Sequence, residues 1–107
     1  MKKNLFLDDF RFPRDVYPET DENEFDIIRS YGDFVDYIKE NGLPDFISFY
    51  NDLGFDWQRG KKHPTGFDAA QWILKESGLS LKGLSFKVHS SDASARVKIS
   101  ELLEPFV

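Results

Sequence analysis

The 107-residue chain contains no cysteine, and that single absence removes several kinds of chemistry. It rules out a disulfide framework, a thiolate zinc site or a cysteine nucleophile, and a reducing, cytoplasmic setting is the expectation. A long hydrophobic run is missing as well. The first apolar residues stop at Asp8-Asp9, so the segment MKKNLF is too short for a signal-peptide core or a membrane span. Cationic excess is also lacking. With a formal charge of −5, no duplex DNA partner is expected, because such binding needs many cationic contacts to phosphates. No internal repeat or low-complexity segment interrupts the chain.

What is present suits one domain with a proper core: 40% of residues are apolar and 16% aromatic. Asn4-Leu5-Phe6-Leu7 reads as a short buried strand closed by two aspartates. Residues 10 to 24, with Pro13 and Pro18 and no helical periodicity, read as a loop. Phe25 to Arg29 resembles a second strand, followed by a turn at Ser30-Tyr31-Gly32. A helix is expected from Asp33 to Asn41, with Phe34 and Ile38 on one face and Gly42 and Pro44 as its stop.

Asp45 to Phe49 is a third strand, and the residues after it, with Gly54, Gly60, Pro64 and Gly66, read as a long loop. A second helix is predicted from Phe67 to Ser77, with Phe67, Ala70, Ile73 and Leu74 on its stripe and Gly78 as its stop. Trp72 on this helix is expected to pack. Leu84 to Val88 alternates as a fourth strand. Ala93 to Glu104 forms a last helix with Ala95, Ile99, Leu102 and Phe106 inward, and Asp92 is placed to cap it. Strands alternating with helices imply right-handed crossovers and a mainly parallel sheet.

In such a sheet, ligands bind outside the carboxyl ends of the strands. Three polar clusters are therefore expected at one edge: Asp8-Asp9, Tyr50-Asn51-Asp52 and His89-Ser90-Ser91-Asp92. Neighbouring strands are only about 5 Å apart, so contact between clusters is expected.

Several motifs in order carry a resemblance: Asn4-Leu5-Phe6-Leu7-Asp8-Asp9 with Arg11 and Pro13; Leu43-Pro44-Asp45 with Ile47-Ser48-Phe49; Asp52-Leu53; Thr65-Gly66 with Asp68; and Val88-His89-Ser90 with Arg96 and Ile99. Together they resemble the cyclic-phosphate processing receiver-like family, a smaller relative of response-regulator receiver domains. The resemblance covers nearly the whole chain. It implies an abbreviated receiver-like, flavodoxin-like three-layer α/β fold with about four mainly parallel strands and three helices. It also implies action on cyclic phosphates of nucleotides or RNA ends.

The chain departs from that pattern at two places. The family carries Asp-His-Asp after the third strand, where Tyr50 and Asn51 replace the first two members and only Asp52 is kept. It reads His-Ser-x-Asn-Pro after the fourth strand, where this chain has His89-Ser90-Ser91-Asp92-Ala93. Position 50 corresponds to the phosphoaccepting aspartate of a receiver, and a tyrosine forms no acyl phosphate. The residues after the last helix also leave no room for the receiver's later strand and its lysine. A phosphoaccepting receiver is therefore not expected.

Opening a cyclic phosphate needs an activated water, a proton donor to the leaving oxygen and stabilised phosphoryl oxygens. His89 is the candidate acid or base, with Ser90 beside it and Asp52 to orient it or a water. Arg11, Arg96 and Ser91 are candidate phosphate ligands. Asp8, Asp9 and Asp52 are a candidate magnesium site, weakened by the missing carboxylate at position 50.

The loop from Phe55 to Pro64 joins Trp57 to Arg59, Lys61, Lys62 and His63, and a nucleobase stacked on Trp57 would place its phosphates near the lysines. Each feature has a plainer structural reading: Asp92 as a helix cap, His89 as a hydrogen-bonded strand-end residue, Trp57 as a pin for its loop. With His89 as the catalyst, His89→Ala is expected to remove activity and leave the fold intact, because a strand-end side chain contributes little core; loss of folding instead would make His89 structural. The alternative function is a catalytically retired binding or protein-interaction module, with the acidic run Glu19, Asp21, Glu22, Glu24 and Asp26 as a candidate partner surface.

Overall fold

Leu5, Phe6 and Leu7 are all fully buried, so the first strand needs cover on both faces and takes the middle of the sheet. The computed structural model describes residues 4–107; Lys2 and Lys3 lie outside the described residues. Strand β1 (Asn4–Leu7) pairs in parallel with β2 (Phe25–Ile28) on one side and β3 (Phe46–Phe49) on the other. Strand β6 (Ser85–Val88) adds to β3, giving the order β2-β1-β3-β6, parallel throughout. The chain is thus an α/β protein of receiver-like, flavodoxin-like architecture.

The two faces of this sheet are covered very differently. Helices α2 (Tyr31–Asn41), α3 (Gly66–Lys75) and α4 (Ala93–Leu103) bring Phe34, Ile38, Ala69, Ala70, Ile73, Ile99 and Leu103 onto Leu5, Leu7, Ile47 and Phe49. Trp72 packs at the margin of this core, as expected. The opposite face carries Phe6, Ser48, Phe25 and Phe46 and is covered by a strap, residues 8 to 24. Tyr17 pins the strap down: its ring stacks on Phe25 at 6.1 Å and its hydroxyl meets Ser48 Oγ at 2.7 Å. Ser85 and Lys87 of β6 point away from the helices and are exposed, so the third layer stops short of that edge.

Several elements differ from the sequence expectation. The strap is not wholly a loop: Pro13–Val16 forms a short helix, α1, because Pro13 at its first position presets φ and Asp15 accepts a bond from the Phe12 amide at 2.8 Å. Ser30 is a cap rather than part of a turn, accepting from the Asp33 amide, and α2 begins at Tyr31. The segment after β3 holds a two-stranded hairpin, β4 (Phe55–Asp56) against β5 (Lys61–Lys62), turned by Gly60 at φ 69°. At the carboxyl end, Leu103 rather than Phe106 is buried, and Phe106 is 54% exposed.

The acidic run is partly spent on local structure. Asp21 caps a 3₁₀ turn at Glu22–Glu24, Glu22 pairs with Arg14 at 3.7 Å, and Asp26 accepts from Tyr37 at 2.7 Å. Among the described residues, no helix is long and apolar enough to cross a membrane.

Candidate functional site

Parallel strands deliver their carboxyl ends to one edge, and backbone bonds extend the sheet one step further there. The Asp8 amide donates to Ile28 O, Tyr50 to Leu7 O and His89 to Phe49 O. Asp8, Tyr50 and His89 therefore leave the sheet side by side, and two of the three expected clusters meet directly with the third. His89 Nε2 lies 3.0 Å from Asp8 Oδ2, across 81 positions of sequence.

The His89 ring is enclosed. It stacks on Phe6 at 4.5 Å and 8°, lies under Tyr50 at 5.6 Å and 22°, and its side chain is only 3% exposed. Nδ1 meets Ser48 Oγ at 2.7 Å, and Ser48 in turn meets the Tyr17 hydroxyl. With the His89 proton on Nε2, donated to Asp8, one run of bonds satisfies every group: Tyr17 O–H to Ser48 Oγ, Ser48 O–H to Nδ1. Ser48, His89 and Asp8 thus have the connections of a nucleophile triad. Ser48, however, is fully buried beneath Tyr17, where no substrate carbon or phosphorus can approach it.

Asp8 is the hub of this cluster. Burial pushes its carboxyl up, but the bond from His89 and the amides of Arg11 and Phe10, at 3.0 Å each, outweigh that and hold it at about 2. The Arg11 guanidinium approaches Asp8 at 3.5 Å and sits between the rings of Phe10 and Tyr50, 4.4 Å from each centroid. Arg29 donates to the carbonyls of Asp8 and Arg11 and lies over Phe12, locking the strap to the end of β1. A cation over an aromatic face contributes about 0.5–1 kcal/mol at such half-exposed positions. Phe10 remains 61% exposed.

Asp52 stands apart from His89. One of its oxygens accepts from the Gly54 amide and the other pairs with Lys62 Nζ at 3.6 Å, so the partner of His89 is Asp8. Ser90 is buried and its hydroxyl accepts from the Asp92 amide, while Ser91 is exposed. Arg96 donates to the Ser90 carbonyl at 2.7 Å and braces the turn into α4. Asp92 caps α4 by accepting from Ser94 N and Ala95 N. Those amides are occupied by a carboxylate, which disfavours a second anion at the same helix start.

The three carboxylates proposed for magnesium do not form one donor set. Asp8 is taken up by His89, Arg11 and two amides, and Asp52 by Lys62 and a turn. Among the described residues, only Asp9 Oδ1 is a side-chain atom buried without a partner, and burial, with Asp8 and Asp52 nearby, pushes that carboxyl up. Among the described residues, no group of three histidine, cysteine or acidic side chains is arranged to hold a metal ion.

Trp57 is not a pin. It is 85% exposed at the end of the hairpin, with its ring 4.6 Å from that of Phe55. Ser48, Tyr17 and Arg29 were missed as members of the cluster. Ser48 alone gave a sign in the sequence, as the one polar residue inside the run Phe46-Ile47-Ser48-Phe49.

Comparisons with curated proteins and with solved structures found no match to the chain. A family model described as the cyclic-phosphate processing receiver domain matches residues 3–105. With the ordered motifs, the four-stranded parallel sheet and this histidine-centred edge, the match shows that the chain belongs to the cyclic-phosphate processing receiver domain family.

Proposed function

We propose that the protein binds a phosphate-bearing nucleotide or RNA end at the carboxyl edge of the sheet, and holds its cyclic phosphate without opening it. The observation that carries this reading is the enclosure of His89. Both ring nitrogens are engaged and both ring faces are covered, so His89 has no atom left for a substrate. The ligand class comes from the family. Arg11 is the candidate phosphate ligand at the surface, a third exposed and flanked by Phe10, whose exposed ring offers a base a place to rest. Ser91 and the outer nitrogens of Arg96 are further candidates along the same edge.

A second reading, hydrolysis, is favoured by the Asp8–His89 pair itself, since a carboxylate held ionised against an imidazole is a common acid–base arrangement. It requires Tyr50 to leave the ring and a nitrogen to change partner.

Phosphorus NMR of a 2′,3′-cyclic nucleotide titrated with the protein separates the two. Binding alone predicts a shifted or broadened cyclic-phosphate resonance and no monoester, and Arg11→Ala is expected to weaken that binding by about tenfold, the loss of one charge-assisted contact. Steady appearance of a monoester with wild-type protein would favour hydrolysis, and a spectrum unchanged at millimolar protein would reject both.

A further inference from the structure

The β4–β5 hairpin leaves the body of the protein with an exposed aromatic pair and a concentration of positive charge. Residues 55 to 63 carry Arg59, Lys61 and Lys62 against one carboxylate of their own, Asp56, and Asp52 at the hairpin's foot, which pairs with Lys62, in a chain whose formal charge is −5. Arg59, Lys61, Lys62 and His63 line a groove of about 430 Å³ that also touches Asp56 and Asp68. Both acids are committed to local structure. Asp56 Oδ1 accepts from the amides of Gln58 and Arg59 and its other oxygen pairs with Arg59 at 3.6 Å, while Asp68 caps α3 through Thr65.

Trp57 is the most exposed large apolar side chain among the described residues. A tryptophan kept in water beside a cationic groove, rather than folded onto the core, is the arrangement that stacks a base while neighbouring cations meet the backbone phosphates.

The hairpin is also joined to the strand edge. A Cβ built on Gly54 would lie 3.6 Å from both Asp9 Oδ2 and His63 Cδ2, so the foot of the hairpin stands against the end of β1. Gly54, at φ 100°, makes that approach possible.

We infer that the β4–β5 hairpin is a docking platform for single-stranded RNA, with Trp57 stacking an unpaired base and Arg59, Lys61 and Lys62 following the phosphates. The placement of the chain's end at the strand edge rests on the function proposed above, and the choice of ribose follows from it, since a 2′,3′-cyclic phosphate requires a 2′-hydroxyl. The platform itself does not depend on that end.

The test uses fluorescence anisotropy with two 5′-labelled hexaribonucleotides, one ending in a 2′,3′-cyclic phosphate and one in a 3′-hydroxyl, and a cyclic mononucleotide as competitor. Both hexamers are expected to bind, and Trp57→Ala is expected to weaken both by about tenfold with an unchanged thermal melt, because base stacking is lost. Lys61→Gln with Lys62→Gln is expected to flatten the dependence of log affinity on log salt by about 0.7 per lysine. If the two hexamers bind equally and both depend on Trp57, the platform stands and the cyclic-phosphate function falls. If the mononucleotide binds as tightly as the cyclic-ended hexamer and Trp57→Ala changes nothing, the platform is overturned while the function stands. Failure of both hexamers to bind also overturns it, and points to an acidic protein surface as the occupant of the hairpin.

Discussion

His89 behaves as a core residue at the edge of a sheet, and this changes what its removal should do. Reading it as a strand-end side chain leads to an expectation of an intact fold in His89→Ala. The structure overturns the premise that such a side chain contributes little core, because the ring fills the space between Phe6 and Tyr50 and partners both Asp8 and Ser48. Truncation leaves a buried carboxylate without its principal partner, so urea unfolding should show a loss of about 3 kcal/mol or more. A loss under half a kcal/mol would mean that the enclosure is not maintained in solution.

Asp8 makes a prediction with a pH axis. Its folded value, about 2, lies below the ordinary 3.8, so its contribution is complete above the ordinary value and disappears as pH falls through about 2. That contribution amounts to about 2 kcal/mol. The stability gap between wild type and Asp8→Asn, measured by urea unfolding, should therefore be widest near pH 6 and narrow toward pH 2. A constant gap would show that the partners do not hold Asp8 ionised. That the Asp8-Asp9 and His89 clusters would meet at one edge was legible from strand ends alone, since both lie one step beyond paired strands. Which aspartate would be the partner was not, because register and the facing of side chains decide between Asp8 and Asp52.

At the scale of elements, the tightest joint is between the end of β3 and the start of α3. A Cβ on Gly66 would fall 2.2 Å from the Tyr50 carbonyl oxygen, and the opposing atom is backbone, which cannot swing aside. Gly66→Ala should destabilise the protein by about 3 kcal/mol by forcing these elements apart. Because Tyr50 roofs His89, it should also perturb the His89 ring resonances in proton NMR; a variant of wild-type stability with unmoved resonances would contradict the close approach.

The main strands and helices were readable because their apolar periodicity is strong: Phe34 with Ile38, and Ala70 with Ile73, are buried as their spacing implies. The short elements were not. Helix α1 depends on a proline at its first position, which reads equally as a loop marker, and β4 and β5 have two residues each, too few to show a period. Phe106 misled because it follows Pro105, where the α-helical repeat gives way to a 3₁₀ turn and the face rotates.

For the whole molecule, the uneven cover of the sheet predicts uneven stability. The β1 and β3 amides lie between the helical layer and the strap, whereas the hairpin rests on two paired positions on each strand and buries little. Hydrogen exchange should therefore show β1 and β3 opening only with global unfolding, and the β4–β5 amides exchanging orders of magnitude faster at the same pH. Equal protection would mean that the hairpin is integral to the core.

The central place of β1 has a further consequence for how the chain is made. A ribosome releases Leu5, Phe6 and Leu7 before either of their neighbours in the sheet, which end at Ile28 and Phe49. This central strand therefore waits, without its full set of neighbours, until residue 49 has been synthesised, and β6 and α4 complete the enclosure later still. During that interval its shelter must come from the exit tunnel or from a chaperone, and slowing translation between residues 28 and 49 should lengthen the exposure and lower the yield of folded protein.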